Sequence, residues 1–316
     1  VIPLKVLITG AGGFVGKYLT KALINKNMEV LGVSRSSGFL NGNPDDRYKC
    51  DVLKKGQIKR IIANYRPDYI VHLASPAFIP NSLRNPKKTY RTIFNGTLNL
   101  LECIYELRLP VRFLHVSSAD VYGRGIQNCL KEDDPYDPIN PYSSAKACSE
   151  LLCRQFFLTY DLDVVIARPF NHTGPEQSID FVCSNFAYQI ASMRPDDEKV
   201  IYTGNVDVSR DFLDVRDVVE AYTLLLNKGK PGEVYNVCSG KGILIREIID
   251  KLFTIANYPD GKFSIDPRKA RKDDIKSRIG DNGKIISETG WRPNIDITET
   301  LKELYLYWKE KRDAER

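Results

Sequence analysis

The chain has 316 residues, enough to bury a large core in one big domain or in two interleaved ones. Its 42% hydrophobic and 27% charged residues are ordinary for a globular protein, and no apolar run approaches the ~20 residues that cross a bilayer. The 46 basic and 40 acidic residues leave a formal charge of +6, too mild for a nucleic-acid binder but suited to anionic ligands such as dinucleotides and nucleotide sugars.

The first predicted element is the apolar, β-branched run Leu4–Thr9, of the kind that forms a buried parallel strand. It leads into Gly10-Ala11-Gly12-Gly13-Phe14-Val15-Gly16 and then into a helical pattern with Val15, Leu19, Ala22 and Leu23 on one side. Strand, glycine turn and helix together form a dinucleotide-binding context, in which the glycines let a pyrophosphate approach the amides at the helix start. Gly10, Gly13, Phe14, Val15 and Gly16 are therefore cofactor-binding candidates.

The second strand, Glu29–Val33, ends in Ser34-Arg35-Ser36-Ser37, where NAD sites usually carry a carboxylate for the ribose. A carboxylate would repel the 2′-phosphate of NADP, whereas a guanidinium and hydroxyls bind it. Ser34 and Arg35 thus predict NADPH rather than NADH as the preferred cofactor, with NAD still possible.

Strands and helices alternate onward, as a doubly wound parallel α/β sheet requires. Strands are expected over 69–73, 111–116 and 163–168, with a long helix over 89–109 and another over 142–160. The second of those strands runs into Ser117-Ser118-Ala119-Asp120-Val121-Tyr122-Gly123, at a strand end where open α/β sheets bind ligands. Ser118 can hold a substrate oxygen there, or simply cap the following turn. The loop 131–141, with three prolines, presents the next helix.

That helix opens with Tyr142-Ser143-Ser144-Ala145-Lys146. Residues four apart share a helix face, so the phenol and the ammonium can enter one site. A lysine charge about 4 Å away, at an effective dielectric of about 20, is worth about 4 kcal/mol. It would bring a tyrosine whose ordinary pKa is about 10 close to neutrality, as a proton-transfer group needs. Seven cysteines, an odd number without metal-type spacing, suggest reduced thiols and a cytoplasmic protein. No signal-peptide pattern opens the chain, and the scattered His72, His115 and His172 predict no metal site.

Taken together, the Gly10, Gly13, Gly16 loop, Asp51 after the third strand, Leu73-Ala74 after the fourth, Asn95 in the long helix, Ser118 and the Tyr142–Lys146 pair resemble the extended short-chain dehydrogenase/reductase family along the whole chain. The resemblance implies a Rossmann domain with a smaller, mostly helical domain that grips a nucleotide sugar. It implies boundaries of 1–170 plus about 205–240 for the first and 171–204 plus 241–316 for the second. By the same resemblance Tyr142 would move the proton, Lys146 would hold the nicotinamide ribose and tune the phenol, and Ser118 would polarise the reacting carbonyl. Asp51 and Val52 would lie at the adenine, and Leu73, Ala74 and Asn95 along the cofactor. Ser75 departs from the second alanine common at that position. A homodimer built from two helices of each Rossmann domain is implied as well.

The segments Ala167–Pro175, Arg210–Asp217 and Gly232–Gly240 look most like the GDP-4-dehydro-6-deoxy-D-mannose reductases within that family. This implies NADPH-dependent reduction of a GDP-4-keto-6-deoxy sugar, giving GDP-D-rhamnose. Asn171 would contact the substrate diphosphate, with Arg210 and Arg271 neutralising phosphate. The alternatives are that Asn171 merely ends the sheet and that Arg210 pairs with Asp214. Asp120 stands where related 4,6-dehydratases carry a carboxylate base, so it is a substrate-facing candidate and keeps a dehydratase or 4-epimerase with retained NAD(P) open. A non-catalytic, RNA-associated relative is a third reading, opposed by the retained tyrosine and lysine.

Overall fold

Val6, Leu7 and Ile8 are all fully buried, with Val6 and Ile8 in one apolar cluster and Leu7 in another. Alternating side chains that are all buried require a strand covered on both faces. A computed structural model describes residues 2–45, 48–125, 129–194, 196–269 and 275–314. Its strands, in chain order, are β1 Lys5–Thr9, β2 Glu29–Val33, β3 Gly38–Leu40, β4 Asn43–Pro44, β5 Tyr69–His72, β6 Arg112–Val116 and β7 Val164–Pro169. They continue with β8 Asn171–Thr173, β9 Val200–Thr203, β10 Ser209–Asp214, β11 Val234–Val237, β12 Gly242–Leu244, β13 Lys262–Ile265 and β14 Ser277–Arg278. The helices are α1 Phe14–Asn25, α2 Lys55–Tyr65, α3 Ile79–Arg84, α4 Pro86–Tyr90, α5 Gly96–Leu107 and α6 Pro141–Tyr160. Then come α7 Val182–Ala191, α8 Val215–Lys228, α9 Ile245–Ile255, α10 Gly283–Thr289 and α11 Ile297–Ala314.

The main sheet has the order β11-β7-β6-β5-β1-β2-β3-β4, and every pairing from β11 to β2 is parallel. Helices α1 and α8 cover one face through Leu19, Leu23, Val218 and Tyr222, and α2, α5 and α6 cover the other through Ile58, Leu100, Leu101 and Phe156. Complete burial of one such leucine contributes about 1.5–3 kcal/mol. The doubly wound α/β class read from the sequence is the class observed.

The far edge differs from expectation. The antiparallel hairpin β3–β4 takes the β2 edge, with Gly32 opposite Phe39 and Val33 opposite Gly38. A third parallel strand before Asp51 therefore has no open edge to join, and the Cys50 N–H reaches back to the Ser34 carbonyl at 2.9 Å.

A second lobe holds α7, α9 and α11 around Val206, Val208 and Phe212. A small sheet of β12, β10 and β14, with β8 also pairing β10, stands between this lobe and the main sheet. The chain crosses between lobes more often than the expected boundaries allow. Strand β10 lies in the small sheet, whereas α8 and β11 belong with the main one. Ile285 and Trp291, from the tail beyond residue 241, are buried in the core of the main sheet, where the Trp291 indole donates to the Asp217 carbonyl at 3.0 Å.

Candidate active site

Gly10 ends β1 with φ of +75°, and a Cβ there would stand 2.7 Å from the Ala74 nitrogen, so only glycine lets the β1 and β5 strand ends approach. At Gly16 a Cβ would meet the Ala11 carbonyl oxygen at 2.6 Å, which keeps α1 pressed onto the loop. Gly13 caps α1 without a side-chain acceptor, and the first turn has no acidic residue, so the amides around Phe14, Val15 and Gly16 remain for an anion. Gly12 faces the Ser34 and Ser37 hydroxyls across a gap that a Cβ would fill, and Arg35 is exposed at the same rim. Loop, helix start and hydroxyls fit a dinucleotide phosphate chain. Leu73 and Ala74 line the loop through the Gly10 contact. Asp51 uses one carboxylate oxygen on the Leu53 N–H at 3.0 Å, and Val52 packs beneath Gly96.

Helix α6 starts at a reciprocal cap. The Asn140 side chain accepts from the Ser143 N–H at 2.9 Å, and the Asn140 N–H donates to the Ser143 hydroxyl at 3.2 Å, with Pro141 in the first turn. This fixes Tyr142 in the opening turn, buried beside Ile93 and Ala145. Ser118 lies within side-chain hydrogen-bonding reach of the phenol and also caps the turn 119–122, accepting from the Asp120 N–H at 3.1 Å. The capping role of Ser118 is thus observed.

Lys146 is buried, and its Nζ donates to the Val116 carbonyl at 2.6 Å while standing 6.0 Å from the Tyr142 ring centroid. The expected electrostatics are reversed here. Burial, and then the Asp120 charge, push the Tyr142 phenol well above its ordinary range, against a smaller pull from Ser118. Lys146 is the group brought toward neutrality, lowered by burial to about 8, with Glu150 opposing the change. The ammonium turns to the end of β6 instead of to the phenol oxygen.

Asn95 does not reach this site. It is exposed and lines a surface cleft of about 430 Å³ with Lys87, Tyr90, Arg91, Phe94 and Cys148. Residues two apart do not share a helix face, and Ile93 is the one buried against Tyr142. A π-type turn over Arg91–Asn95 joins α4 to α5 at this point.

Across the cleft, Asn171 is exposed at the start of β8, and its neighbour His172 stacks on Phe14 with ring centroids 6.4 Å apart. Arg210 Nη1 donates to the Ser209 and Ile275 carbonyls at 2.8 and 2.7 Å, while Asp214 is taken by Arg216 and Thr300. Arg271 lies outside the described residues. Arg278, at the end of the basic run 268–278 that reads in the sequence as mostly solvated surface with one arginine for a diphosphate, stands in register with Arg210 on the adjacent strand. Its Nη1 donates to an Asp120 carboxylate oxygen and its Nη2 to the Gly123 carbonyl at 2.8 Å.

An unforeseen group supports the floor of the site. Glu150, one turn beyond Lys146, forms a buried pair with Arg168, whose Nη2 lies 2.7 Å from Glu150 Oε2. Ser117 and Tyr136 donate to the same carboxylate. Arg168 also donates to the Tyr122 hydroxyl at 2.8 Å, and Tyr122 in turn donates to Asn236 Oδ1 at 2.7 Å. Strand ends, turn 119–122 and α6 are thereby joined by hydrogen bonds rather than by apolar packing alone.

A family model described as GDP-mannose 4,6 dehydratase matches residues 7–304. The chain is 35% identical to the GDP-6-deoxy-D-mannose reductase of Pseudomonas aeruginosa over 97% of this chain and 98% of that one. It is 32% identical to the GDP-6-deoxy-D-talose 4-dehydrogenase of Aggregatibacter actinomycetemcomitans, covering 91% and 92%. The solved structure of RMD from Pseudomonas aeruginosa complexed with NADPH superimposes with a TM-score of 0.86 at 34% identity, covering 98% of this chain and 100% of that one.

Proposed function

Since this chain belongs to the GDP-mannose 4,6 dehydratase family of extended short-chain dehydrogenases/reductases, we propose that it reduces the 4-keto group of a GDP-4-keto-6-deoxy sugar with NADPH. The substrate of choice is GDP-4-dehydro-6-deoxy-D-mannose and the product GDP-D-rhamnose. The observation that carries the chemistry is the buried Tyr142 phenol in the first turn of α6, with Ser118 beside it just past the end of β6. The substrate assignment is supported by the 35% identity to a GDP-6-deoxy-D-mannose reductase over nearly the full chain.

The bound nicotinamide supplies the hydride. Ser118 and Tyr142 hold the substrate carbonyl oxygen, and the phenol gives its proton to that oxygen as negative charge develops. A phenol held above its ordinary range stays protonated at neutral pH, so it starts as a donor. Lys146, charged below about 8, stabilises the phenolate left behind and binds the cofactor ribose. The loop Gly10–Gly16 and Leu73–Ala74 hold the dinucleotide, Asp51 and Val52 its adenosine end, and Ser34 with Arg35 the 2′-phosphate. Arg210, on the small sheet, and Asn171, on the strand paired with it, neutralise and hold the substrate diphosphate. The main-sheet layer is the cofactor domain, and the lobe of α7, α9 and α11 is the nucleotide-sugar cap.

Among the described residues no helix is long and apolar enough to cross a membrane. We place the protein in the cytoplasm without a nucleic-acid partner. The exposed Tyr105, Leu151, Leu158 and Tyr160 on and just beside the outer faces of α5 and α6 support a homodimer through those helices. A second reading, a retained-cofactor 4-epimerase or 4,6-dehydratase, is favoured by the place of Asp120 beside the phenol. One experiment separates them. With the 4-keto sugar, NADPH absorbance should fall in step with product formed, and the product resolved by NMR should be the 6-deoxy alcohol. Turnover without net NADPH loss would replace reduction by the second reading.

A further inference from the structure

Arg278 reaches from the small sheet to a carboxylate that the proposed reduction does not use. Its side chain is only 11% exposed, and Asp120, its partner, is 21% exposed, so the charge pair is largely withdrawn from water. One Asp120 oxygen is taken by Arg278, and the other lies 3.3 Å from the Ser118 hydroxyl. Arg278 is anchored a second time on the Gly123 carbonyl, which fixes the guanidinium over the turn 119–122. Its Nε is buried without a hydrogen-bond partner among the described residues. A planar guanidinium held at two points keeps a carboxylate in one orientation, which a lysine cannot do as well.

The proposed substrate makes that orientation matter. Ser118 and Tyr142 hold a ketone oxygen, and the carbons flanking a ketone carry acidic hydrogens. A carboxylate free to turn toward such a carbon would take its proton. The C–H electron pair would move into the ring bond, and the carbonyl π pair would move onto the oxygen that Ser118 and Tyr142 stabilise. Return of a solvent proton restores the ketone, with the hydrogen exchanged or the centre inverted. Asp120 is the carboxylate placed to do this, since it sits against Ser118 and its charge reaches Tyr142.

We propose that Arg278 is a positioning residue that sets reaction specificity: by holding Asp120 it denies the site a base for the hydrogens beside the keto group and leaves reduction as the only outcome. This rests on the ketone-reductase reading above. The test is to incubate the 4-keto-6-deoxy nucleotide sugar in D2O without NADPH and follow deuterium at the flanking carbons by NMR. Arg278→Gln should exchange at least about tenfold faster than the wild type, Arg278→Lys should lie between them, and Arg278→Gln with Asp120→Asn should return to the wild-type rate. Two separate substitutions, to glutamine and to lysine, guard against one failing to fold, and the order of their rates is itself the readout. The proposal is overturned if neither exchanges faster than the wild type, or if exchange survives loss of the Asp120 carboxylate. A merely structural Arg278 would lower reduction with no gain of exchange. Failure of the ketone-reductase reading is separately visible, as no NADPH oxidation by the wild type with the same sugar, and would remove both.

Discussion

The two sides of the cleft are organised by different physics. On the cofactor side, continuous apolar strands and a helix start without a cap create the site, and glycine shapes it where Gly10 meets Ala74. On the substrate side, charged groups far apart in the chain find each other. Arg278 meets Asp120 across 158 positions, and the Asp211 carboxylate gathers the amides of Ser239, Gly240 and Gly280. The first kind of site follows from local chain geometry and tolerates little change of shape. The second follows from pairing, and tolerates change of shape better than loss of a partner.

Perturbations of each side can break that contrast. The largest effect is expected for Tyr142→Phe, which should lower kcat by about 10²–10⁴ while leaving the NADPH dissociation constant nearly unchanged. Near-normal turnover would remove the phenol from the reaction. Next comes Arg168→Met, which strands the buried Glu150 charge and should cost about 3–5 kcal/mol in urea unfolding. A small loss there would mean that the floor of the site relies on packing, as the cofactor loop does. Arg35→Asp should shift the ratio of specificity constants from NADPH toward NADH by roughly ten- to a hundredfold, with the fold unperturbed at this exposed position.

Asp211→Ala tests the small-sheet side, since it leaves three amides without their acceptor. A cost of about 1–3 kcal/mol is expected, read from the urea midpoint, together with a raised KM for the sugar and an unchanged Kd for NADPH. The smallest effect is in pH. A lysine lowered to about 8 is charged below that value and neutral above it, so kcat/KM should fall on the alkaline side only. The loss should be about tenfold per pH unit, because Tyr142, raised by burial, stays protonated through the same window. In Lys146→Arg the residual activity should keep its level past that point. A bell with an acid limb at neutral pH would contradict both assignments.

Much of the cofactor side is readable from the chain because its signals are local. Strand β1, the glycine loop, β2 and α6 with Tyr142 and Lys146 all follow from apolar runs, turn residues and helical spacing. Asn95 shows the limit of that reading. Its place in the chain looks right on paper, yet helical rotation sends its side chain to the outer surface while Ile93 meets the phenol. The partner of Lys146 was not readable either, since the Val116 carbonyl belongs to a strand 30 positions earlier. Glu150 and Arg168 read as ordinary helix and strand polar residues until the sheet brings them together. Arg278 falls in a basic stretch that resembles solvated surface, and only the pairing of β14 with β10 turns it inward.

The β3–β4 hairpin carries a further meaning, for how copies of the protein meet. An open sheet ends in unpaired backbone groups that invite a strand from another molecule. Here the outermost strand is two residues long, exposed, and includes Pro44, which has no N–H to offer. That edge is closed to growth by strand addition, and with it one route to aggregation.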